Sequence, residues 1–178
     1  MRLLFLSMKK RSLWVAIAAL SFLAVGFCAK AVAAGEVGSA APAWKLRTVD
    51  GAEVNSADLA GKVLVVDFWA TWCPPCRAEI PGFIELQKKY AKDGLVIVGI
   101  SVDQGGAEVV KKFVDQNKIN YQIVLADGGV ADAFGGVEGI PTTFVIDRTG
   151  KIQLKEVGFT EASAFEKRIQ PLLKAAKP

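Results

Sequence analysis

The sequence of 178 residues contains no histidine, and this absence excludes several classes of active site. A Ser-His or Cys-His nucleophile, a His-ligated zinc ion and a His-bound haem all require an imidazole. Cysteine is scarce as well, with three residues in the chain. Any reaction must therefore use Cys, Asp, Glu, Lys, Arg or Tyr.

Acidic residues are missing from residues 1–33, which carry five basic side chains around an uncharged apolar run at 12–29. A basic start, an apolar centre and the small residues Ala31-Val32-Ala33 predict a secretory signal peptide. An 18-residue apolar helix would span about 27 Å, so a retained membrane anchor is an alternative. A lipoprotein attached through Cys28 is a third. We expect an exported protein, periplasmic or extracytoplasmic, either soluble after signal cleavage or tethered to the inner membrane by residues 12–29.

The net charge of +4 comes from this leader, because residues 34–178 carry 17 basic and 18 acidic side chains. The basic excess therefore gives no reason to expect nucleic-acid binding. Gly, Ala, Ser and Pro dominate residues 34–42, which predicts a linker, and residues 43–178 are long enough for one domain. This domain retains two cysteines, Cys73 and Cys76, which excludes a scaffold of several disulfides.

Hydrophobic patterning predicts an α/β domain with a mixed sheet covered on both faces. A hairpin around Asp50-Gly51 opens it, and a continuous apolar run at 63–70 indicates a buried strand. The later predicted elements are helices at 74–92, 108–117, 130–134 and 161–176, strands at 95–100 and 122–125, and a hairpin of strands 142–147 and 152–157.

Cys73 and Cys76 lie where the buried strand turns into the first helix. Unpaired N–H groups and the helix dipole at an N-cap favour a thiolate, and a thiolate is the nucleophilic form of cysteine. The i, i+3 spacing brings Cys76 to the same end of the helix, within reach of a disulfide. This pattern predicts that Cys73 attacks a disulfide and that Cys76 resolves the product.

The cysteine pair has four other interpretations. A zinc site would need two more soft ligands, and a structural disulfide across a two-residue gap removes almost no loop entropy. Copper(I) transport by two thiolates is chemically reasonable. A peroxidatic cysteine is a further alternative, although peroxiredoxins have Thr three residues before the reactive Cys, where this chain has Ala70.

The segment DFWATWCPPCR at 67–77, with GIPTTF at 139–144 downstream, resembles the thioredoxin superfamily. The opening hairpin, the leader, the Glu79-Ile80-Pro81 sequence and the long middle segment are similar to the ResA/TlpA/CcmG group of extracytoplasmic thiol-disulfide oxidoreductases, with a redoxin (AhpC/TSA-like) domain. The resemblance covers about residues 38–174. It implies a thioredoxin-like fold for 43–178, with an N-terminal hairpin and a central insertion.

The resemblance assigns roles to further residues. Pro141 matches the family's cis-proline, which lies against the disulfide and offers the backbone of Ile140 to a substrate; a trans proline starting a strand is the alternative. Glu79 matches an acid that ResA-like proteins have near their cysteines, or else it belongs to a solvated helix face. Trp72 either contacts Cys73 and substrate or covers the core edge.

Asp67 stands inside the apolar run, where desolvation should raise its pKa and suit it to exchange a proton with Cys76. It also matches the buried acid beneath the cysteines of thioredoxins, and a structural role within the sheet is the alternative. Pro74 and Pro75 lack N–H groups, so fewer donors stabilise the Cys73 thiolate. A less stabilised thiolate means a more reducing couple, which favours a reductase.

The resemblance also implies the partners. Expected substrates are protein disulfides, including those of apocytochrome c and of copper-site cysteines, and the expected electron donor is a membrane protein of the DsbD or CcdA type. No cofactor, metal or nucleic acid is expected, and the protein is expected to be a monomer.

Overall fold

The computed structural model describes residues 33–175, and the predicted leader lies outside these residues apart from Ala33. The strands are β1 (Lys45–Thr48), β2 (Glu53–Asn55), β3 (Val63–Trp69), β4 (Leu95–Ser101), β5 (Gln122–Leu125), β6 (Thr142–Ile146) and β7 (Ile152–Val157). The α-helices are α1 (Pro74–Tyr90), α2 (Gly106–Asn117), α3 (Val130–Ala133) and α4 (Ala162–Lys174). Within the described residues, no helix is long and apolar enough to cross a membrane.

The seven strands form one mixed sheet in the order β2-β1-β5-β4-β3-β6-β7. The central strands β3, β4 and β5 are parallel, while β1, β2, β6 and β7 join through antiparallel pairs. The prediction of a mixed sheet is thereby confirmed, and the predicted elements differ from the observed ones mainly by a few residues at their ends.

Every residue of β3 is buried, because helices or loops cover both faces of the sheet there. Side chains alternate along a strand, so Val63, Val65, Asp67 and Trp69 share one face. Val63 and Val65 pack with residues of α1 and α4, and Trp69 packs with α2. The opposite face packs against α3 and the residues that follow it. Asp67 therefore points into the layer that α1 covers.

Helix α1 starts directly after β3 because its first residues suit a helix N-terminus. Pro74 and Pro75 occupy the first two helical positions, where a backbone N–H is not needed. Cys73 is the N-cap, and Lys88 and Lys89 lie in the last turn, where they complement the helix dipole. The strand-to-helix junction thus holds both cysteines at the C-terminal end of β3.

The segment predicted as a linker, 34–42, differs from the expectation because it lies along the domain. Gly38 N–H donates to Ile152 O at 2.8 Å, Ile152 N–H donates to Ser39 O at 2.9 Å, and Ala41 N–H donates to Gly150 O at 2.8 Å. These bonds pair the segment with the start of β7, whose outer backbone groups would otherwise be open as a sheet edge. Composition alone does not reveal such pairing, since the bonds use the backbone.

Candidate active site

Cys73 and Cys76 form a disulfide at the N-terminus of α1, with 5.3 Å between their Cα atoms. Cys73 has extended backbone angles, and its Sγ accepts a hydrogen bond from Cys76 N–H at 3.3 Å. Because Pro74 and Pro75 have no N–H, Cys76 is the first residue of the helix able to donate one. Both sulfur-bearing residues are buried, with 3% and 1% of their surfaces exposed.

The loop before β6 lies directly against the disulfide. The Ile140–Pro141 peptide bond is cis, and the carbonyl oxygen of Ile140 is 3.8 Å from Cys73 Sγ. Ile140 is half-buried and Pro141 is buried. The sequence therefore folds so that this loop and the cysteine turn, 67 residues apart, share one site.

Exposed apolar side chains surround this site. Trp72 is 65% exposed, and Pro74 and Pro75 are exposed as well. Gly158 N–H donates to Pro141 O at 2.8 Å, which brings the end of β7 to the proline loop. Val157 and Phe159, the residues on either side of Gly158, are 67% and 47% exposed. We call Trp72, Val157 and Phe159 the apolar rim.

Two buried carboxyl groups lie on the elements that flank the cysteine turn, Asp67 on β3 and Glu79 on α1. Asp67 accepts a hydrogen bond from Thr143 Oγ1 at 3.0 Å, and Glu79 Oε1 accepts one from Thr160 N–H at 2.7 Å. Each residue is only 4% exposed. Glu79 is thus not part of a solvated helix face, and its Oε2 has no hydrogen-bond partner among the described residues.

Burial weakens the acidity of both groups. Desolvation, followed by the charge of Glu79, raises the pKa of Asp67 well above its usual value, although the Thr143 hydrogen bond opposes this. Desolvation raises the pKa of Glu79 to about 7, against the effect of the Thr160 N–H. Burial and the same two acids raise the pKa of Tyr121. A carboxyl group with a pKa near 7 can accept or donate a proton at neutral pH.

Sequence reasoning missed three side chains that support the site. Thr143 and Tyr121 adjoin the buried acids, and Asp103 hydrogen-bonds Thr71, two residues before Cys73. Asp103 could have been found, because polar residues just beyond the C-terminal ends of parallel strands meet at one edge of a sheet. The positions of Thr143 and Tyr121 depend on the register and packing of the folded chain, which no local pattern encodes.

The described residues contain no group of three or more cysteine or acidic side chains placed to hold a metal ion. The geometry offers the Cys73 sulfur at a helix N-cap, the Cys76 sulfur bonded to it, and two buried acids on the strand and the helix that flank them. This arrangement is suited to reversible opening and closing of the Cys73–Cys76 bond.

Comparisons with known proteins agree with this chemistry. Residues 37–155 match the AhpC/TSA family. The thiol-disulfide oxidoreductase ResA of Bacillus anthracis is 32% identical over 139 residues, covering 76% of this chain and 80% of that protein. The thioredoxin-like protein YneN of Bacillus subtilis (strain 168) is 34% identical over 133 residues, covering 74% and 78%.

A crystal structure of a thiol:disulfide interchange protein of the thioredoxin family, from Chlorobium tepidum TLS, superposes with a TM-score of 0.71. The two chains are 38% identical, and the match covers 78% of this chain and 98% of the other. The predicted thioredoxin-like fold is confirmed by this similarity. The chain therefore belongs to the AhpC/TSA family, and it is a thioredoxin-like thiol-disulfide oxidoreductase related to ResA.

Proposed function

We propose that this protein reduces disulfide bonds of extracytoplasmic proteins through a dithiol–disulfide cycle of Cys73 and Cys76. The observation that supports this most strongly is the bonded cysteine pair at the start of α1, with the Ile140 carbonyl 3.8 Å from Cys73 Sγ. A substrate chain that lies against the Ile140–Pro141 loop has its own cysteine beside Cys73 Sγ. Trp72, Pro74 and Pro75 form the other side of this approach.

The cycle begins with both cysteines reduced. The Cys73 thiolate attacks one sulfur of the substrate disulfide, a mixed disulfide forms, and the other substrate sulfur leaves as a thiolate that takes a proton. Cys76 then loses its proton and attacks Cys73 Sγ, which releases the second substrate thiol. The substrate gains two electrons and two protons, and the enzyme is left with the Cys73–Cys76 disulfide.

Asp67 and Glu79 are the proposed proton carriers of the second step. Both are buried, and burial raises the pKa of each; with a pKa of about 7, Glu79 is present near neutral pH both as the carboxylate and as the protonated acid. A carboxylate of this pair can take the Cys76 proton as that thiol attacks, and the same carboxyl can return the proton when the disulfide is reopened.

Pro74 and Pro75 support a reducing direction. Among the first three residues of α1, Cys76 alone carries an N–H that can donate to Cys73 Sγ. A thiolate with few donors is less stabilised, and a less stabilised dithiol gives up its electrons more readily.

Location and partners follow from the leader and from the relatives. Export by the leader 1–33, or tethering by residues 12–29, would place the domain outside the cytoplasm. The proposed substrates are apocytochrome c and copper-site cysteines, and the proposed donor is a membrane thiol protein of the DsbD or CcdA type. The protein is proposed to work as a monomer without a cofactor.

The apolar rim supports a polypeptide substrate, since large exposed apolar side chains beside a reactive sulfur can contact the residues that flank a cysteine. We expect Phe159→Ala to raise KM for a protein disulfide about fivefold, because about 1 kcal/mol of apolar contact is lost. The kcat should stay unchanged. Steady-state kinetics with an unfolded disulfide protein measure both constants, and Val109→Ala, an equally exposed apolar position on α2, is the matched control. An unchanged KM would remove Phe159 from the binding surface.

Trapping of the mixed disulfide tests the proposed cycle. We expect Cys76→Ser, in a Cys28→Ala background, to accumulate a covalent complex with a substrate protein through Cys73, because the resolving thiol is missing. Non-reducing electrophoresis and mass spectrometry of the linked peptides identify the bond. A complex linked through Cys76 in a Cys73→Ser variant, with none in Cys76→Ser, would reverse the two roles.

A further inference from the structure

One carboxylate at the active-site edge has no part in the proposed cycle. Asp103 lies two residues beyond the end of β4, and Thr71 lies two residues beyond the end of β3. The two strands are parallel neighbours, so these residues meet although 32 positions separate them. Thr71 also lies two residues before Cys73, which links Asp103 to the cysteine turn.

The Asp103 carboxylate holds Thr71 by two hydrogen bonds. Its Oδ2 accepts from Thr71 N–H at 3.0 Å, and its Oδ1 accepts from Thr71 Oγ1 at 2.5 Å. Oδ2 also accepts from Ser101 Oγ at 2.8 Å, and Ser101 Oγ accepts from Asp103 N–H at 3.2 Å. The carboxylate is therefore oriented by its own strand, and it fixes both the position and the rotation of Thr71.

Thr71 in turn fixes the residues that follow it. Cys73 N–H donates to Ala70 O at 3.2 Å, so residues 70–73 form a turn with Thr71 and Trp72 at its centre. Trp72 is 65% exposed, whereas Cys73 is 3% exposed. The backbone of the turn sets the direction of the Trp72 Cα–Cβ bond, and Asp103 holds that backbone at Thr71.

We propose that Asp103 is a positioning residue for disulfide exchange: through Thr71 it keeps the Trp72–Cys73 turn oriented toward a polypeptide substrate. This inference rests on the proposed reductase function and deepens it. Asp103 contacts no reacting atom, so we expect it to affect the binding of a large substrate and not the exchange of sulfur bonds itself. A small disulfide reaches Cys73 Sγ without using Trp72 and loses little when the turn loosens.

The test compares two substrates with Asp103→Asn in the full chain. Asn keeps the shape of the side chain, but its amide nitrogen cannot accept a hydrogen bond from Thr71. We expect kcat/KM for a protein disulfide to fall about tenfold, the size of a lost hydrogen bond to a charged group, mainly through KM. Turnover of 5,5′-dithiobis(2-nitrobenzoic acid) should change less than about twofold.

Asp147→Asn is the matched control. Asp147 also accepts hydrogen bonds from a turn, those of Thr149, Lys151 and Gln153. It follows β6 at the far end of the sheet, where Ile146 pairs with Leu64 near the start of β3. We expect this variant to act as the wild type on both substrates.

Two further measurements separate positioning from general loss of structure. Thr71→Val removes the Oγ1 hydrogen bond and keeps the N–H, so we expect kcat/KM for the protein disulfide to fall by about threefold. When this change is combined with Asp103→Asn, the two losses should be less than additive. The 19F resonance of 5-fluorotryptophan at Trp72, assigned with Trp72→Phe, should shift in both variants.

Equal losses on both substrates, or none on the protein disulfide in either variant, would overturn the positioning role. A wild-type protein that reduces neither substrate would overturn the proposed reductase function itself.

Discussion

Cys73→Ala is expected to abolish disulfide reduction, with a loss of at least about 10³-fold in kcat/KM, because no other sulfur takes the N-cap position of α1. The insulin reduction assay, with dithiothreitol as the electron source, measures this directly. Cys28→Ala is the matched control, since it removes a cysteine of the predicted leader and should leave turnover unchanged. Full activity of Cys73→Ala would contradict the whole scheme.

Two measurements on the wild type separate the other functions that the cysteine pair allows. A thiol peroxidase would consume hydroperoxide rapidly at Cys73, which stopped-flow measurements detect. A copper(I) carrier would bind the metal tightly through both thiolates and have negligible reductase activity. We expect the wild type to reduce protein disulfides, to consume hydroperoxide slowly and to bind copper(I) weakly, because Cys73 Sγ lies beside the Ile140–Pro141 loop and is bonded to Cys76.

Glu79→Gln is expected to slow the resolving step about 10²-fold, the usual size of an acid–base contribution. The pKa of Glu79 is raised to about 7, so the carboxylate that can accept the Cys76 proton becomes populated as pH rises through that value. The rate of the resolving step in the wild type should therefore increase as the pH rises through 7. The Glu79→Gln variant should lack this increase. Rapid-quench kinetics of mixed-disulfide decay, recorded from pH 5 to 9, measure both effects.

Glu85→Gln is the matched control on the same helix, because Glu85 is exposed while Glu79 is buried. We expect this variant to keep the wild-type profile. A Glu79→Gln protein with the wild-type rate and profile would remove Glu79 from the proton path and leave Asp67 as the remaining acid of the pair.

The raised pKa of Glu79 also has a consequence for stability. Its pKa is about 7 in the folded protein and about 4.5 when exposed, so the folded state binds more protons between these values. The contribution of the protonated Glu79 to the stability of the folded protein is fully present below pH 4.5 and is lost as the pH rises through about 7. We expect the free energy of unfolding of the wild type to fall by about 1–2 kcal/mol more than that of Glu79→Gln over this pH range. This value is reduced because solvent near the carboxyl screens its charge. Urea unfolding of both proteins at pH 4.5 and 7.5 measures this difference. An equal change in the free energy of unfolding between the two pH values in both proteins would contradict the prediction.

Local patterns were sufficient to predict the elements that carry the cysteines. The apolar run at 63–70 contains the fully buried central strand β3, and the proline pair that follows Cys73 lies in the first turn of α1. Both predictions rest on short-range physics: the burial of a parallel strand and the missing N–H groups of proline. The same reasoning placed the hairpin of β6 and β7 around the turn at 148–150.

Features that depend on long-range contacts were beyond this reasoning. The spacing of Glu79 could not distinguish a buried carboxyl from an exposed one, since the answer depends on the Thr160 N–H, 81 residues away. The bonds between Asp103 and Thr71 follow from the pairing of β3 with β4. The backbone pairing of 34–42 with the start of β7 was not predicted, because such pairing leaves no trace in composition.

The reduction potential of the Cys73–Cys76 couple tests the central claim most directly, because the direction of electron flow depends on it. Equilibration of the full chain with glutathione or dithiothreitol buffers, followed by quantification of both redox forms, gives the value. The two prolines beside Cys73 predict about −250 mV or lower, in the range of reducing thioredoxins. A potential near −120 mV, in the range of strong oxidants, would contradict the proposed reductase function.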